Sequence, residues 1–313
     1  MSRLKPRHLE EGDLIQLVSP GGPARADRIA AGIRLLTNAG YQTRLTDSAA
    51  GRLGHYSASH VDRLSDLQTA FDDPAVAAVL CTRGGYGSDR LVDALDLRAL
   101  QSHPKIFLGF SDNTALHLLL NSTLGLTTCY GPPLAWDESR TGELSRQSLL
   151  YYLRGDVIRG TCLATVSSCE DSSVLRVGTS DPEGLLLGGN LTMLGAACGT
   201  ATQPAFEGAI LLIEEVREHA YRIDRLLTQL RRSHCLDGVA GIAVGQVTAC
   251  PSLSNGPSAV EVIGNHMAEL GVPILGGLPV GHGPNQVSLP LGSMVRLCIS
   301  TQRIIALDAP LAA

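Results

Sequence analysis

The chain begins with apolar runs that alternate with amphipathic stretches. DLIQLVS (13–19) breaks at the turn signal PGGP, and ARADRIAAGIRLLTNAG (24–40) then places apolar residues at helical spacing and closes on Gly40. Beyond a polar loop, VDRLSDLQTAFD (61–72) predicts a second helix. AVAAVLCT (75–82) is continuously apolar, as in a parallel strand covered on both faces; it ends in RGGYG, and SDRLVDALD predicts a further helix. KIFLGF followed by TALHLLLNSTLG repeats the unit. Such alternation predicts a parallel sheet with crossover helices, and ligands of these sheets bind beyond the carboxyl ends of the strands. RGGYG and GFSDNT both fall at such ends.

From about residue 152 the pattern changes. RGDVIRGTCLATVSSCEDSSVLRVGTSDPEG is rich in Ser, Thr, Gly and Asp and reads as a linker or irregular crossover. Strand-like AILLIEEV (209–216) follows GLLLGGNLTMLGAACG, and YRIDRLLTQLRRS carries Ile223, Leu226, Leu227 and Leu230 as the stripe of a surface helix. GIAVGQVT, VEVIGNHMAEL, PILGGLPVGHG, NQVSLPLG, MVRLCIS and RIIALD complete a mixed α+β half with several glycine-rich β segments. The expected fold is therefore α/β: an N-terminal parallel-sheet domain over 1–155, a linker over 156–180, and a smaller, β-rich C-terminal domain over 181–313. At 313 residues, two domains sharing a cleft are the default expectation.

Composition narrows the function. With 44% hydrophobic and 18% charged residues the chain has material for a substantial core, and a formal charge of −5 without a basic tract predicts no nucleic-acid partner. No stretch reaches the roughly 18 to 20 apolar residues of a membrane span, and no secretory h-region follows Arg3, Lys5 and Arg7, so a cytoplasmic location is expected. The eight cysteines are scattered with no C-x-x-C, which predicts reduced thiols and neither a disulfide frame nor a zinc site.

Ser111 ends the KIFLGF run where a strand gives way to a helix. Unpaired N–H groups and the positive dipole end at such a turn stabilise an alkoxide or oxyanion, as in a nucleophile elbow. The elbow pattern G-x-S-x-G is incomplete, because Asn113 stands at the second glycine, and Ser111 or Asp112 as a plain helix cap is the competing reading. Gly84, Gly85 and Gly87 remove three side chains at a neighbouring strand end and let backbone amides approach a ligand, or they form only a tight turn. Neither a dinucleotide loop nor a P-loop fits, since Arg90 replaces the third glycine of the former and Gly-Lys-Ser/Thr is absent.

A serine needs a base, normally histidine, oriented by a carboxylate. His117 sits six residues after Ser111, about 240° around the same helix, and points elsewhere. His55, His60 and His219 remain possible as exposed loop or helix-start residues; His282, between Gly281 and Gly283 at the end of an expected strand, has no neighbouring bulk to shield it. Glu214 and Glu215 end an apolar strand on opposite faces, and spacing alone does not choose between them.

Together these stretches resemble the LD-carboxypeptidases, serine peptidases that trim peptidoglycan peptides, and their microcin-immunity relatives. GDLIQLVSPGGP, TRGGYGSDRLV, GFSDNTAL, GGNLTML, LLIEEVREHAYRIDRLLTQL and PILGGLPVGHGPNQVSLPLG carry the resemblance over residues 12 to about 292. It implies an N-terminal domain similar to class I glutamine amidotransferases, a smaller C-terminal domain, and a site where the two meet. It implies Ser111 as nucleophile, His282 as base, Glu214 as orienting carboxylate, and the backbone amides of Gly85 and Asp112 as oxyanion donors. Position 215 is Glu where the family more often has Asp. The implied reaction releases terminal D-alanine from murein tetrapeptides, with no cofactor or metal and no membrane partner; a homodimer is left open. Arg83 is the candidate for the substrate carboxylate, a salt bridge at the sheet edge being its alternative role. Trp136 is a candidate to line the cleft. The alternatives are a microcin-immunity-type peptidase acting on aminoacyl-nucleotide conjugates, a glutaminase (which would present Cys at the elbow), and a non-catalytic two-lobe binding protein.

Overall fold

The computed structural model describes residues 3–135, 137, 141–166 and 175–313. In chain order the elements are β1 (Leu14–Val18), α1 (Ala26–Asn38), β2 (Gln42–Leu45), α2 (Asp47–Ala50), α3 (His60–Asp72), β3 (Val76–Cys81), α4 (Arg98–Ser102), β4 (Ile106–Gly109), α5 (Thr114–Thr123), β5 (Thr128–Tyr130) and α6 (Glu143–Leu153). They continue with β6 (Cys162–Thr165), β7 (Arg176–Val177), β8 (Glu183–Asn190), α7 (Leu191–Ala196), β9 (Ile210–Val216), α8 (Ala220–Arg232), β10 (Gly241–Thr248), α9 (Ala259–Ala268), β11 (Ile274–Leu275), β12 (Leu289–Leu291), β13 (Met294–Cys298) and β14 (Arg303–Ala306). Two compact units result: Met1–Val157 with Ser288–Pro290 and Pro310–Ala313, and Ile158–Val287 with Leu291–Ala309.

The first unit holds a six-stranded sheet in the order β12-β5-β4-β3-β1-β2, with β1 to β5 paired in parallel. β4 is buried throughout and β3 at all but one position, as their continuous apolar composition predicts for strands covered on both faces. β12 departs from the sequence expectation, which placed NQVSLPLG with the C-terminal half. Leu289 and Leu291 are fully buried, and Pro290, which cannot donate to a ladder, is accommodated because β12 lies at the sheet edge. SDRLVDALD also departs from expectation: only Asp89–Ala94 is helical, as a 3₁₀ turn. Ser88 before it is anchored to Asp112, and Leu95 after it is already extended, so one tight turn is all that fits. SPGGP, RGGYG and GFSDN leave the carboxyl ends of β1, β3 and β4, three adjacent strands.

The second unit holds an eight-stranded sheet in the order β6-β14-β13-β8-β9-β10-β11-β7. Its centre, β8 to β11, is parallel, and the flanking pairs β13–β8, β13–β14, β14–β6 and β11–β7 are antiparallel. β6 and β7 both come from the 156–180 stretch that the sequence reads as a linker or irregular crossover. On α8 the buried residues are Ala220, Ile223, Leu227 and Leu230, and Leu226 lies against Gly195 of α7. No helix among the described residues is long and apolar enough to cross a membrane.

Gly188 shows how closely the central strands approach. It pairs with Leu212 in register at φ +127°, and a Cβ there would fall 2.0 Å from the Leu212 carbonyl oxygen. Gly188→Ala is therefore expected to lower the unfolding free energy by about 3 kcal/mol, combining left-handed strain with overpacking. Urea denaturation measures this.

Candidate active site

In the first unit the chain turns sharply at Ser111. Phe110 is extended (φ −152°), Ser111 is left-handed (φ +57°), and a 3₁₀ turn over Ser111–Asn113 feeds α5. A helix cap sits in the extended region, so Phe110, not Ser111, holds the cap conformation. Its N–H donates to Asn113 Oδ1 at 3.1 Å, so Asn113 has a definite task where the elbow pattern has glycine. Ser111 N–H donates to the hydroxyl of buried Tyr130 at 3.0 Å. Ser111 is one of six non-glycine residues with positive φ among the described ones, and it lies at the turn from a parallel strand into a helix, which makes it a candidate site.

The glycine loops exist to bring main chains together. A Cβ on Gly84 would lie 2.7 Å from Ser111 Cβ and 3.1 Å from Asp112 N, and one on Gly85 (φ +108°) would lie 2.7 Å from the backbone of Gly22. Gly22 N–H donates to Gly84 O at 2.9 Å. The Gly85 amide is exposed and makes no hydrogen bond among the described residues. Asp112 uses its side chain as well: its buried carboxylate accepts from Gly87 N–H at 3.1 Å and Ser88 N–H at 2.9 Å, and its carbonyl accepts from the Ser88 hydroxyl. Burial raises the Asp112 pKa, against those hydrogen bonds.

In the second unit the polar residues cluster at the carboxyl ends of β8, β9 and β10. Glu214 Oε2 meets His282 Nδ1 at 2.8 Å, and Glu214 Oε1 accepts from Asn190 Nδ2 at 3.1 Å. The Glu214 side chain is fully buried and that of His282 is 20% exposed. An acceptor-only carboxylate at Nδ1 assigns the proton to that nitrogen and leaves Nε2 as the basic one. Gly281 (φ +135°) permits the approach, since a Cβ there would lie 3.1 Å from Glu214 Oε2. Gln246, at an irregularity in β10, grips the far side of the loop by accepting from Gly283 N–H at 2.6 Å and donating to Asn285 O at 3.1 Å.

Residues 15–131 match the model of the LD-carboxypeptidase N-terminal domain, and residues 183–297 that of the LD-carboxypeptidase C-terminal domain. The chain belongs to the LD-carboxypeptidase family. The murein tetrapeptide carboxypeptidase of Pseudomonas aeruginosa is 33% identical over 89% of this chain and 91% of its own. The crystal structure of muramoyltetrapeptide carboxypeptidase from Oxalobacter formigenes is 31% identical and superposes with a TM-score of 0.77 over 93% of this chain and 97% of its own. The microcin C7 self-immunity protein, known in sequence from Escherichia coli, superposes at 0.87 over 99% of this chain and all of its own, but at 23% identity that shows a shared fold alone.

The structure separates the adjacent glutamates. Glu215 does not face His282; it accepts from Thr192 N–H and hydroxyl at 2.8 and 2.7 Å, from Val216 N–H at 2.7 Å and from Asn190 Nδ2 at 3.2 Å. His117 is a core residue, 1% exposed against Thr128 Oγ1 at 2.8 Å, and desolvation pulls its pKa down to about 4. Arg83 is exposed and donates to Pro23 O at 2.9 Å; among the described residues it forms no ion pair, so the salt bridge weighed for it is not made. Trp136 lies outside the described residues. Sequence reasoning assigned no task to Asn190, Gln246 or Tyr130, and offered the Asp112 side chain only as a helix cap, whereas it accepts from Gly87 and Ser88 N–H. The available signal for Asn190 was a lone amide closing an apolar strand, and for Gln246 a lone amide inside one.

Burial, with the Glu214 charge adding to it, raises the Glu215 pKa against its hydrogen bonds. A carboxyl group raised on folding binds its proton more tightly in the native state, so its contribution to stability is full below the unfolded pKa and falls as pH rises through the native one. The stability of the wild type relative to Glu215→Gln is thus expected to decline as pH increases from about 4. Urea titrations of both proteins over a pH series check the sign; a difference that grows with pH contradicts it.

Proposed function

We propose that this LD-carboxypeptidase hydrolyses the amide between an L-configured centre and terminal D-alanine in murein tetrapeptides, through Ser111, His282 and Glu214. The observation that carries the mechanism is the 2.8 Å contact between His282 Nδ1 and a carboxylate with no solvent exposure. It holds one imidazole tautomer and stabilises the imidazolium formed when Nε2 takes the serine proton. The left-handed elbow at Ser111 and the open Gly85 amide support the nucleophile and oxyanion assignments. The murein tetrapeptide carboxypeptidase among the relatives supports the substrate class.

Ser111 Oγ attacks the carbonyl carbon and its proton passes to His282. The amides of Gly85 and Asp112 hold the oxyanion, the C–N bond breaks, and His282 returns the proton to the departing D-alanine amine. Water, deprotonated by the same imidazole, then hydrolyses the ester. Arg83 is assigned to the substrate carboxylate. The muropeptides released by cell-wall recycling in the cytoplasm are the proposed source of substrate.

Mass spectrometry of a muropeptide tetrapeptide incubated with the protein is expected to show a tripeptide plus free D-alanine. An unchanged tetrapeptide together with cleavage of an aminoacyl-nucleotide conjugate would move the assignment to the immunity-type branch. Ser111→Ala and His282→Ala should each reduce turnover by roughly 10⁴- to 10⁶-fold and the double variant by little more, because the members of a triad act as a unit. Multiplicative losses would refute the triad. Glu214→Gln should lower kcat severely, whereas Glu215→Gln should act mainly on stability; the reverse ranking would shift the orienting role by one position.

A further inference from the structure

Arg63 lies in the first half of α3, far in sequence from every residue assigned above, and is 1% exposed. Among the described residues it forms no ion pair. A buried guanidinium needs compensation, and here it comes from three directions. Nη1 donates to the carbonyl of Pro20 and, at 2.9 Å, to that of Gly87. The guanidinium carbon stands 4.6 Å from the centre of the Tyr56 ring, within cation–π range. Its negative counterpart is reached through a peptide unit. The Gly87–Ser88 peptide offers its oxygen to Arg63 and its N–H to Asp112 Oδ2 at 2.9 Å. A cation at the carbonyl and an anion at the amide align with the dipole of that peptide, so each hydrogen bond strengthens the other.

We infer that Arg63, the Gly87–Ser88 peptide and Asp112 form one buried relay, and that Arg63 is a positioning residue for the oxyanion amide of Gly85. The relay fixes both loops that frame that amide. Pro20 belongs to the PGG turn, whose Gly22 N–H donates to Gly84 O, and Gly87 ends the loop that Gly84 begins. The anion end of the relay is the residue immediately after Ser111. Gly87 itself (φ +110°) admits no side chain, because a Cβ would lie 2.6 Å from the Tyr56 ring and 3.3 Å from Arg63 Nη1. The inference rests on the assignment of Ser111 and Gly85 proposed above and adds the device that holds them in register.

The test is the rate at which Ser111 is labelled by a fluorophosphonate, with kcat and KM on the tetrapeptide beside it. Arg63→Ala in the full chain is expected to react about 10²-fold slower, as when an oxyanion donor is lost, with KM nearly unchanged. Guanidinium ion at a low, non-denaturing concentration should restore much of that rate, which a general packing defect would not allow. Labelling of Arg63→Ala at the wild-type rate, or a loss that guanidinium leaves untouched, overturns the relay. Should Arg63→Ala not fold, Arg63→Lys carries the test, since an ammonium lacks the planar fork; a slowed rate at near-native Tm supports the relay and a wild-type rate overturns it. Absence of labelling in the wild type would instead strike the nucleophile assignment itself, so the two failures are distinguishable.

Discussion

The carboxyl ends of the central strands of the second unit are organised around one buried carboxyl group, that of Glu214. A carboxylate at the end of an apolar strand is costly unless every oxygen finds a donor. Glu214 solves this with Asn190 on one oxygen and His282 on the other. Asn190 is its register partner on β8, so the sheet ladder itself delivers the first donor. The second arrives on a loop laid along β10, where Gln246 N–H donates to Val280 O and the Gln246 side chain holds Gly283. Gly281 and Gly283 are glycines because a carboxylate and an amide occupy the space their side chains would need.

The first unit meets a different constraint. Its strand-end loops gather backbone amides, donors that carry no side-chain entropy. Three adjacent parallel strands end in glycine-bearing loops that pack main chain against main chain. Such loops have few side chains to hold them, so polar residues from elsewhere take over: Asp112 beneath RGGYG, Tyr130 under Ser111, Asn113 behind Phe110.

Much of this was legible in the sequence. Apolar runs located β3, β4 and β9, and glycines at strand ends marked the loops that surround Ser111 and His282. What escaped was pairing between residues remote in sequence. Nothing local in RLSDL tells that Arg63 turns inward to two carbonyls, because an arginine in a helix usually faces solvent. SLPL could not be placed in the first sheet, since a three-residue edge strand has no periodicity to read. The two glutamates were indistinguishable for a related reason. Alternation shows that they diverge, but not which face carries the histidine.

The resolution of that ambiguity shows how environment divides labour between identical side chains. Glu215 accepts four hydrogen bonds, two of them from Thr192 at the start of α7, and so ties β9 to the helix that follows β8. With its acceptor capacity occupied by fixed donors, it has little left to offer a base. Glu214 instead gives one oxygen to the ring of His282. One amide, Asn190 Nδ2, touches both carboxylates, so a change at Glu215 reaches Glu214 through a single nitrogen. Conversion of Glu215 to the shorter Asp would draw the carboxylate back from Thr192 or from Asn190, and position 215 therefore tunes how firmly Glu214 is held.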